Sequence, residues 1–170
     1  MLSKEAQLTA QRFLWGYVGG WLIILVIVLL ATHASRILAD RARAALRSGR
    51  TRDAIRYGRW AVPLNPFDGN GYLVLGEALA AAGRPNEASG ELMAGIALLK
   101  RRGIYVSARE YYILGCEEEK AARLLPAGYW LRRAHLLAAR DWWRQAADMH
   151  EGDWSRLAEE KLKEGGADVS

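Results

Sequence analysis

The side chains that could do chemistry in this chain are few and scattered. Three histidines lie far apart in the sequence: His33, His135 and His150. His150 has carboxylates two positions before it and one and three positions after it, a residue set that can bind a metal ion. An acidic helix end followed by a turn gives the same pattern. We interpret the stretch in that second way and predict no metal site.

Two further patterns are weaker. Asp68-Gly69-Asn70-Gly71 resembles the start of a calcium-binding loop, but such loops end on a glutamate where this chain has Leu79. Cys116 is the single cysteine, so it forms no internal disulfide, and no base lies near it in the sequence. Motifs of the types G-x-x-x-x-G-K, HExxH, CxxC and G-x-S-x-G do not occur. The sequence therefore predicts a non-catalytic protein without a cofactor.

The charged pair most suggestive of binding is Arg43 and Arg47. Because they are four positions apart on a predicted helix, their side chains project side by side. Gly49 ends that helix, so both arginines lie in its last two turns, where positive charge also interacts favourably with the helix dipole. Two interpretations stay open: the pair stabilises its own helix, or it binds an acidic segment of a partner protein.

An apolar segment precedes these arginines. Residues 13–35 contain no formal charge, and their central part is an unbroken apolar run. At 1.5 Å per residue the segment is long enough to cross the ~30 Å hydrocarbon core of a bilayer, and Trp15 and Tyr17 lie where interfacial aromatic residues are expected. We predict a single transmembrane helix after a polar tail of residues 1–12. A cleaved signal peptide ending near Ala34 and a buried core helix are the alternatives.

Small residues in this segment suggest a contact within the membrane. Gly16 and Gly20 form a GxxxG pair, a spacing that lets two membrane helices touch backbone to backbone. Glycine is also common in membrane helices that make no such contact. We predict a helix–helix contact at these two positions.

The region after the apolar segment repeats itself. A shift of 34 residues superimposes Gly49 on Gly83 and Ala54 on Ala88. Within each copy, small and apolar residues at helical spacing lead to a glycine, and the helical spacing then resumes. Glycine ends a helix readily because it adopts the left-handed backbone conformation. A constant period of this length indicates stacked helix–turn–helix units.

The pattern within the copies points to a known family. The second copy has an aromatic residue, a Leu-Gly pair and spaced alanine and leucine residues: Tyr72, Leu75, Gly76, Leu79, Ala88 and Leu92. The chain thereby resembles the tetratricopeptide repeat (TPR) family, in its membrane-anchored bacterial type, with two TPR-like repeats in residues 36–102. Arg41, Gly58 and Lys100 depart from the family pattern, which has leucine, a large residue and proline at these positions.

The resemblance implies a binding groove, because in this family the first helix of each unit lines a concave surface. The positions that it places there are Arg36, Ala39, Arg43, Leu46 and Arg47 in the first repeat and Asn70, Leu73, Glu77, Ala80 and Ala81 in the second. The predicted partner-binding residues among them are Arg36, Arg43, Arg47, Asn70, Leu73 and Glu77. An extended acidic segment fits such a groove. Family members that clamp a C-terminal carboxylate have lysine and asparagine where this chain has Ala39 and Val74, so that activity is not expected.

Beyond the second repeat the period is lost, although helical spacing continues. We predict that residues 103–164 form a degenerate helical repeat with capping helices, since terminal repeats are atypical. The third repeat is placed at residues 128–150, on the spacing of Ala134 and Ala146. Three tryptophans are expected to close the open end of the array by packing: Trp142, Trp143 and Trp154. Residues 165–170 are expected to fray.

Two opposed arguments bear on which side of the membrane the domain after the apolar segment lies. More arginines follow the apolar segment than precede it, which by the positive-inside rule favours a cytoplasmic domain, but the rule weakens for charges in a long domain. Bacterial anchored repeat proteins of this layout often face the periplasm, as the resemblance implies. We place the chain in the cytoplasmic (inner) membrane as a single-pass protein, with a slight preference for a periplasmic domain.

Together these observations predict an all-α protein, with an N-terminal single transmembrane helix followed by a short TPR-like α-solenoid of helical hairpins. Its predicted function is that of a membrane-anchored adaptor or assembly factor, which contacts the lipid bilayer and binds a protein partner in its groove. The alternatives are a structural accessory subunit held in a membrane complex through its transmembrane helix and, with less support, an enzyme-maturation factor. Only the sequence pI of about 9.6 favours nucleic-acid binding, and the anchor argues against it.

Overall fold

The computed structural model describes the backbone of residues 4–164 and the side chains of residues 15–164. In that part of the chain there are seven α-helices and no strands: α1 (Lys4–Arg47), α2 (Thr51–Leu64), α3 (Gly69–Ala81), α4 (Pro85–Arg101), α5 (Ala108–Arg123), α6 (Trp130–Asp148) and α7 (Gly152–Glu164). The pairs α1–α2, α3–α4 and α5–α6 form three helical hairpins, and α7 packs against the last of them. The predicted all-α class is confirmed.

The first helix runs without a break from the apolar segment into the first hairpin. No glycine or proline lies between Gly20 and Gly49, so the sequence contains no residue that would interrupt it. The predicted boundary between residues 35 and 36 therefore falls inside one helix. The apolar part is largely exposed up to Leu30, and burial begins at Ala31.

By length and composition, α1 is the one helix among the described residues that could cross a membrane. Its apolar stretch has a mean hydropathy of 2.3 and is only 11% buried. A core helix of a soluble protein would be mostly buried, so the interpretation of this segment as a buried core helix is disfavoured. A signal sequence near the N-terminus would have the same length and composition.

Glycine ends the first helix of each regular hairpin. Gly49 and Gly83 have φ angles of 72° and 71°, in the left-handed region that favours glycine. The N–H of Gly49 donates to the carbonyl of Leu46 at 2.9 Å, and the N–H of Gly83 donates to the carbonyl of Ala80 at 3.0 Å. These two turns are where the 34-residue period of the sequence predicts them.

Because successive helices alternate in direction, the turns fall on two edges of the domain. The distal edge, away from the apolar segment, has the turns at residues 48–50, 82–84 and 124–129. The proximal edge, toward the apolar segment, has the turns at residues 65–68, 102–107 and 149–151. The hydroxyl of Ser35 donates to the carbonyl of Ala61 at 2.9 Å and so fixes the level at which α2 returns along α1.

Small residues let the paired helices approach closely. Ala54 and Ala88 are fully buried, as their repeat positions require. Within the second hairpin, a Cβ added to Gly76 would lie 2.7 Å from Cγ of Leu92, so no larger residue fits there without movement. In the third hairpin, a Cβ on Gly115 would lie 2.5 Å from the ring of Trp143. The second and third hairpins thus each contain a close contact of the same kind between their two helices, a glycine against a large side chain.

The third hairpin does not lie where its sequence spacing placed it. Residues 128–150 contain the single helix α6, and its partner is α5. Ala134 is exposed, whereas Ala146 is fully buried. No glycine or proline lies between Gly128 and Gly152, so α6 continues where the predicted third repeat required a turn between two helices.

Aromatic side chains fill the end of the array. Trp143 is buried in the main core cluster, and the ring of Trp142 stacks on that of Tyr111 with centroids 6.1 Å apart. The ring of Trp154 lies 5.6 Å from that of Tyr112 and thereby attaches α7 to α5. Aromatic pairs at such distances stabilise beyond their buried area by about 0.5–1.5 kcal/mol.

Candidate protein-binding groove

An open groove of about 640 Å³ crosses α1, α3 and α5, the first helices of the three hairpins. Its lining residues are Arg43, Leu46 and Arg47 from α1, Asn70, Leu73, Glu77, Ala80 and Ala81 from α3, and Arg109, Glu110 and Ile113 from α5. Since all three helices present the corresponding face, the groove is a continuous surface of the solenoid. An extended chain segment could lie across it.

The structure brings most of the predicted partner-binding residues together. Those that line the groove are Arg43, Arg47, Asn70, Leu73 and Glu77. Arg36 does not line it: this residue is exposed two helical turns, about 10 Å, before Arg43. Ala39 is buried in the helix packing and is not available to a ligand. That these residues contact a partner remains a prediction.

An ion pair crosses the groove between α3 and α5. The two terminal guanidinium nitrogens of Arg109, Nη1 and Nη2, donate to the carboxylate of Glu77 at 2.7 and 3.0 Å. This hydrogen bonding raises the pKa of Arg109, although partial burial of the guanidinium opposes it. Glu110 lies 3.6 Å from the same guanidinium. Both carboxylates of the groove, Glu77 and Glu110, are therefore close to Arg109, a cation that also lines the groove.

The arginines of α1 are less fully engaged. Arg43 pairs with the exposed Asp40 at 3.2 Å and donates to the side-chain oxygen of Asn70 at 3.3 Å. Arg47 is exposed and makes no ion pair within the described residues. Three guanidinium groups and two carboxylates line the groove, which leaves a net charge of +1. The excess positive charge lies on α1, where an acidic ligand would be attracted.

The base of the groove is apolar. Leu73 is 6% exposed and belongs to the core cluster that continues into the third hairpin. Leu46 and Ile113 are half-buried on either side of it. A ligand segment with both carboxylates and small apolar side chains would thus match the groove in charge and in hydrophobicity.

The repeat register did not predict the contribution of α5 to the groove: Arg109, Glu110 and Ile113. A signal for it existed. The pair Leu114-Gly115 corresponds to Leu75-Gly76 of the second repeat, and the same offset places Arg109 at the position of Asn70. Taking α5 as the first helix of the third unit would have identified Arg109 as a groove residue.

The weaker candidates of the sequence have structural roles. Asp68 accepts a hydrogen bond from the backbone N–H of Asn70 at 3.2 Å and so caps α3. Burial raises the pKa of the Cys116 thiol, which lowers its reactivity at neutral pH. Within residues 15–164, no three histidine, cysteine or acidic side chains cluster as metal ligands. Gly16 and Gly20 are exposed on α1, with open space around them in the single chain.

Comparison with known proteins defines the fold. No protein-family model matches the chain, and no curated protein matches it. Among solved structures, the TPR domain of Arabidopsis OM64 is similar, with 16% identity and a TM-score of 0.62 over 79% of this chain and 98% of that domain. The Yersinia enterocolitica type III secretion translocator chaperone SycD has 16% identity and a TM-score of 0.54, over 76% of this chain and 87% of that one.

A third similar structure is the N-terminal domain of stress-induced protein-1 from C. elegans, with 13% identity and a TM-score of 0.51 over 76% of this chain and 95% of that domain. At such low identity these likenesses show the fold alone. The architecture after the apolar segment is therefore that of a TPR-like α-solenoid, as the sequence predicted.

Proposed function

We propose that this protein is a membrane-anchored, non-catalytic adaptor that binds an extended acidic segment of a partner protein. The observation that carries the proposal is the groove across α1, α3 and α5, with an apolar base at Leu73 and an excess of positive charge on α1, where Arg47 makes no ion pair within the described residues. An adaptor of this kind holds its partner near the membrane and needs no catalytic side chain.

Two further observations support this function. The fold is one that occurs in the TPR domain of OM64 and in a secretion translocator chaperone, so it is compatible with protein binding. The exposed apolar part of α1 gives the domain a means of attachment to a bilayer. We place the protein in the inner membrane of a bacterium as a single-pass protein, with a slight preference for a periplasmic domain.

The groove is tested by reversing its charge. In the full-length protein, Arg43→Glu with Arg47→Glu should release partners that copurify with the wild type. Raised salt should also release them, because exposed charges are screened over about 8 Å at physiological ionic strength. The matched control is Arg41→Glu with Arg52→Glu, which makes the same charge change at exposed positions outside the groove.

Melting temperatures are measured for all three proteins. We expect the two double variants to melt at similar temperatures and only the groove variant to lose its partners. An unchanged partner list for the groove variant, with only its melting temperature lowered, would mean that the two arginines stabilise their helix and would overturn the groove proposal.

A structural accessory subunit is the second candidate function. The observation in its favour is the largely exposed apolar face of α1, on which Gly16 and Gly20 leave room for another helix. For such a subunit, a complex of fixed stoichiometry should survive charge reversal in the groove. It should dissociate instead when Gly16 and Gly20 are both changed to leucine.

A further inference from the structure

Exposed apolar side chains of the first two hairpins are concentrated on one edge of the domain. The proximal edge has five large apolar residues that are exposed: Trp60, Leu64, Phe67, Ile104 and Tyr105. Phe67 is 73% exposed and Tyr105 is 67% exposed, although each lies in a well-formed turn. The distal turns at residues 48–50 and 82–84 contain no exposed large apolar side chain, whereas the distal loop of the third hairpin exposes Leu124 and Tyr129. Exposed apolar groups that cluster in this way mark a contact surface.

The level of this edge coincides with the end of the apolar segment. The hydrogen bond from Ser35 places Ala61 beside Ser35. Leu64 follows three residues later in α2, about 4.5 Å closer to the apolar segment, because α2 runs antiparallel to α1. Leu64 is therefore level with about Thr32 of α1. Residues 13–32 form a helical length of about 30 Å, which matches the hydrocarbon core of a bilayer. The turn at residues 65–68 thus lies at the depth of the headgroups.

The second proximal turn lies at the same level. A Cβ added to Gly69, at the start of α3, would be 2.5 Å from the carbonyl of Gly95 and 2.7 Å from the side chain of Leu99. The end of α4 is therefore beside the turn at residues 65–68, and residues 102–107 follow directly. Ile104 and Tyr105 consequently project from the same edge as Phe67.

Positive charge accompanies these apolar residues. Lys100, Arg101 and Arg102 are exposed at the end of α4, and none of the three makes an ion pair within the described residues. Asp68, in the first of the two turns, is buried and engaged by Asn70. Two carboxylates outside these turns lie beside them: Asp148 lines a shallow groove with Ile104 and Tyr105, and Glu151 accepts a hydrogen bond from the N–H of Ala108 at 2.8 Å. Residues 65–68 and 100–107 themselves hold three cations against the one carboxylate of Asp68, and anionic headgroups attract such clusters.

We infer that the proximal turns at residues 65–68 and 102–107 rest on the surface of an anionic bilayer, with Phe67, Ile104 and Tyr105 among the headgroups and the three cations at residues 100–102 beside lipid phosphates. The inference rests on the membrane anchor of the proposed function and adds a second attachment to it. Aromatic residues are favourable at this depth, and basic residues near their ends reach the headgroups. The contact holds the domain upright against the bilayer.

Environment-sensitive fluorophores at single cysteines test the inference in the full chain. In a Cys116→Ala background, a nitrobenzoxadiazole label is placed at Phe67→Cys, at Tyr105→Cys and, as distal controls, at Arg50→Cys and Ala82→Cys. All four positions are exposed, so the label should not disturb packing. A fifth label at Leu25→Cys reports on the anchor itself. The proteins are reconstituted into vesicles of phosphatidylcholine, alone or mixed with phosphatidylglycerol.

We expect the emission of the labels at 67 and 105 to shift to the blue in vesicles that contain phosphatidylglycerol, and less so in phosphatidylcholine alone. The labels at 50 and 82 should emit as in water. Changing residues 100–102 to glutamine should reduce the shifts at 67 and 105. If label 25 is blue-shifted and labels 67 and 105 are not, the second contact is wrong and the anchor stands. If label 25 also emits as in water, the anchor fails and the inference fails with it.

Discussion

The second and third hairpins make the same helix contact with different side chains. In α3–α4 the contact is Gly76 against Leu92, and in α5–α6 it is Gly115 against Trp143. The short turn at residues 82–84 is replaced in the third hairpin by the longer loop at residues 124–129. In both hairpins a glycine faces one large side chain where the two helices approach closely. The spacing along the sequence is free to change around that contact.

The two hairpins also differ in the polarity of their cores. Leu79 is buried in the second hairpin, and Glu118 occupies the corresponding position in the third, where its side chain is only 5% exposed. Its carboxylate accepts a hydrogen bond from Ser89 of α4 and lies 2.6 Å from Nδ1 of His135 on α6. Partners at both oxygens offset the cost of burying the Glu118 carboxylate, so this position joins three helices. The third hairpin depends on polar contacts that the second does not need.

The largest expected effect concerns Trp143. Truncation by Trp143→Ala should lower the free energy of unfolding by about 3–5 kcal/mol, because it leaves a cavity beside Gly115. The ring nitrogen has no hydrogen-bond partner within the described residues, so the loss is one of packing. Denaturant unfolding of the full chain in detergent micelles, followed by circular dichroism, measures the change.

The corresponding change in the second hairpin is Leu92→Ala, for which we expect about 2–5 kcal/mol. If the two hairpins unfold as one unit, both variants should keep a single transition. A second, earlier transition in Trp143→Ala alone would show that the third hairpin unfolds separately. A loss below about 1 kcal/mol in either variant would contradict the equivalence of the two contacts.

A smaller effect is expected where alanines lie between paired helices. Ala88→Leu and Ala139→Leu should each destabilise the fold by about 1–3 kcal/mol through overpacking, since both positions are fully buried. The change Arg84→Ala should alter stability by less than about 0.5 kcal/mol, because the side chain is 40% exposed and its ion pair with Glu87 lies on the surface. Thermal melts compare the three variants. Equal shifts for Ala88→Leu and Arg84→Ala would speak against the repeat register.

These contrasts show why the sequence predicted some parts of the molecule and not others. Gly49, Gly83 and Ala88 have local roles that recur at a constant period, so the first two hairpins could be predicted from spacing. Most of the groove on α1 and α3 followed from the same register. Arg109 was missed because α4 and the turn after it are together five residues longer than α2 and its turn, so α5 lies 39 and not 34 residues after α3. The spacing of Ala134 and Ala146 then matched the pattern by chance, inside one helix.

The smallest expected effect is an alkaline pH dependence that arises at Cys116 and Tyr112 of α5. Burial raises the pKa of the Cys116 thiol, and burial together with Cys116 raises the pKa of Tyr112 to about 12. In the unfolded chain a thiol loses its proton near its ordinary pKa of about 8.5, whereas the folded chain keeps it. Above that pH the unfolded state binds fewer protons, so stability falls as pH rises toward the raised values.

We therefore expect Cys116→Ala to reduce the decrease in melting temperature above the ordinary thiol pKa of about 8.5, with little effect below it. Tyr112→Phe should reduce the decrease only at still higher pH. Leu73→Ala, in the second hairpin, is the control that lowers stability without changing its pH dependence. The same alkaline slope in wild type and Cys116→Ala would contradict the prediction.

The unbroken first helix also sets a distance. With residues 13–32 in a bilayer, Arg43 and Arg47 stand about 17 and 23 Å along the helix axis beyond Thr32. An extended chain covers about 3.3–3.6 Å per residue. A partner anchored in the same bilayer must then supply at least about six residues between its own membrane segment and its acidic motif. Because no hinge interrupts the helix, the proposed function implies that partners with shorter tethers would not reach the groove, and that α1 would select among membrane proteins by the length of their tethers.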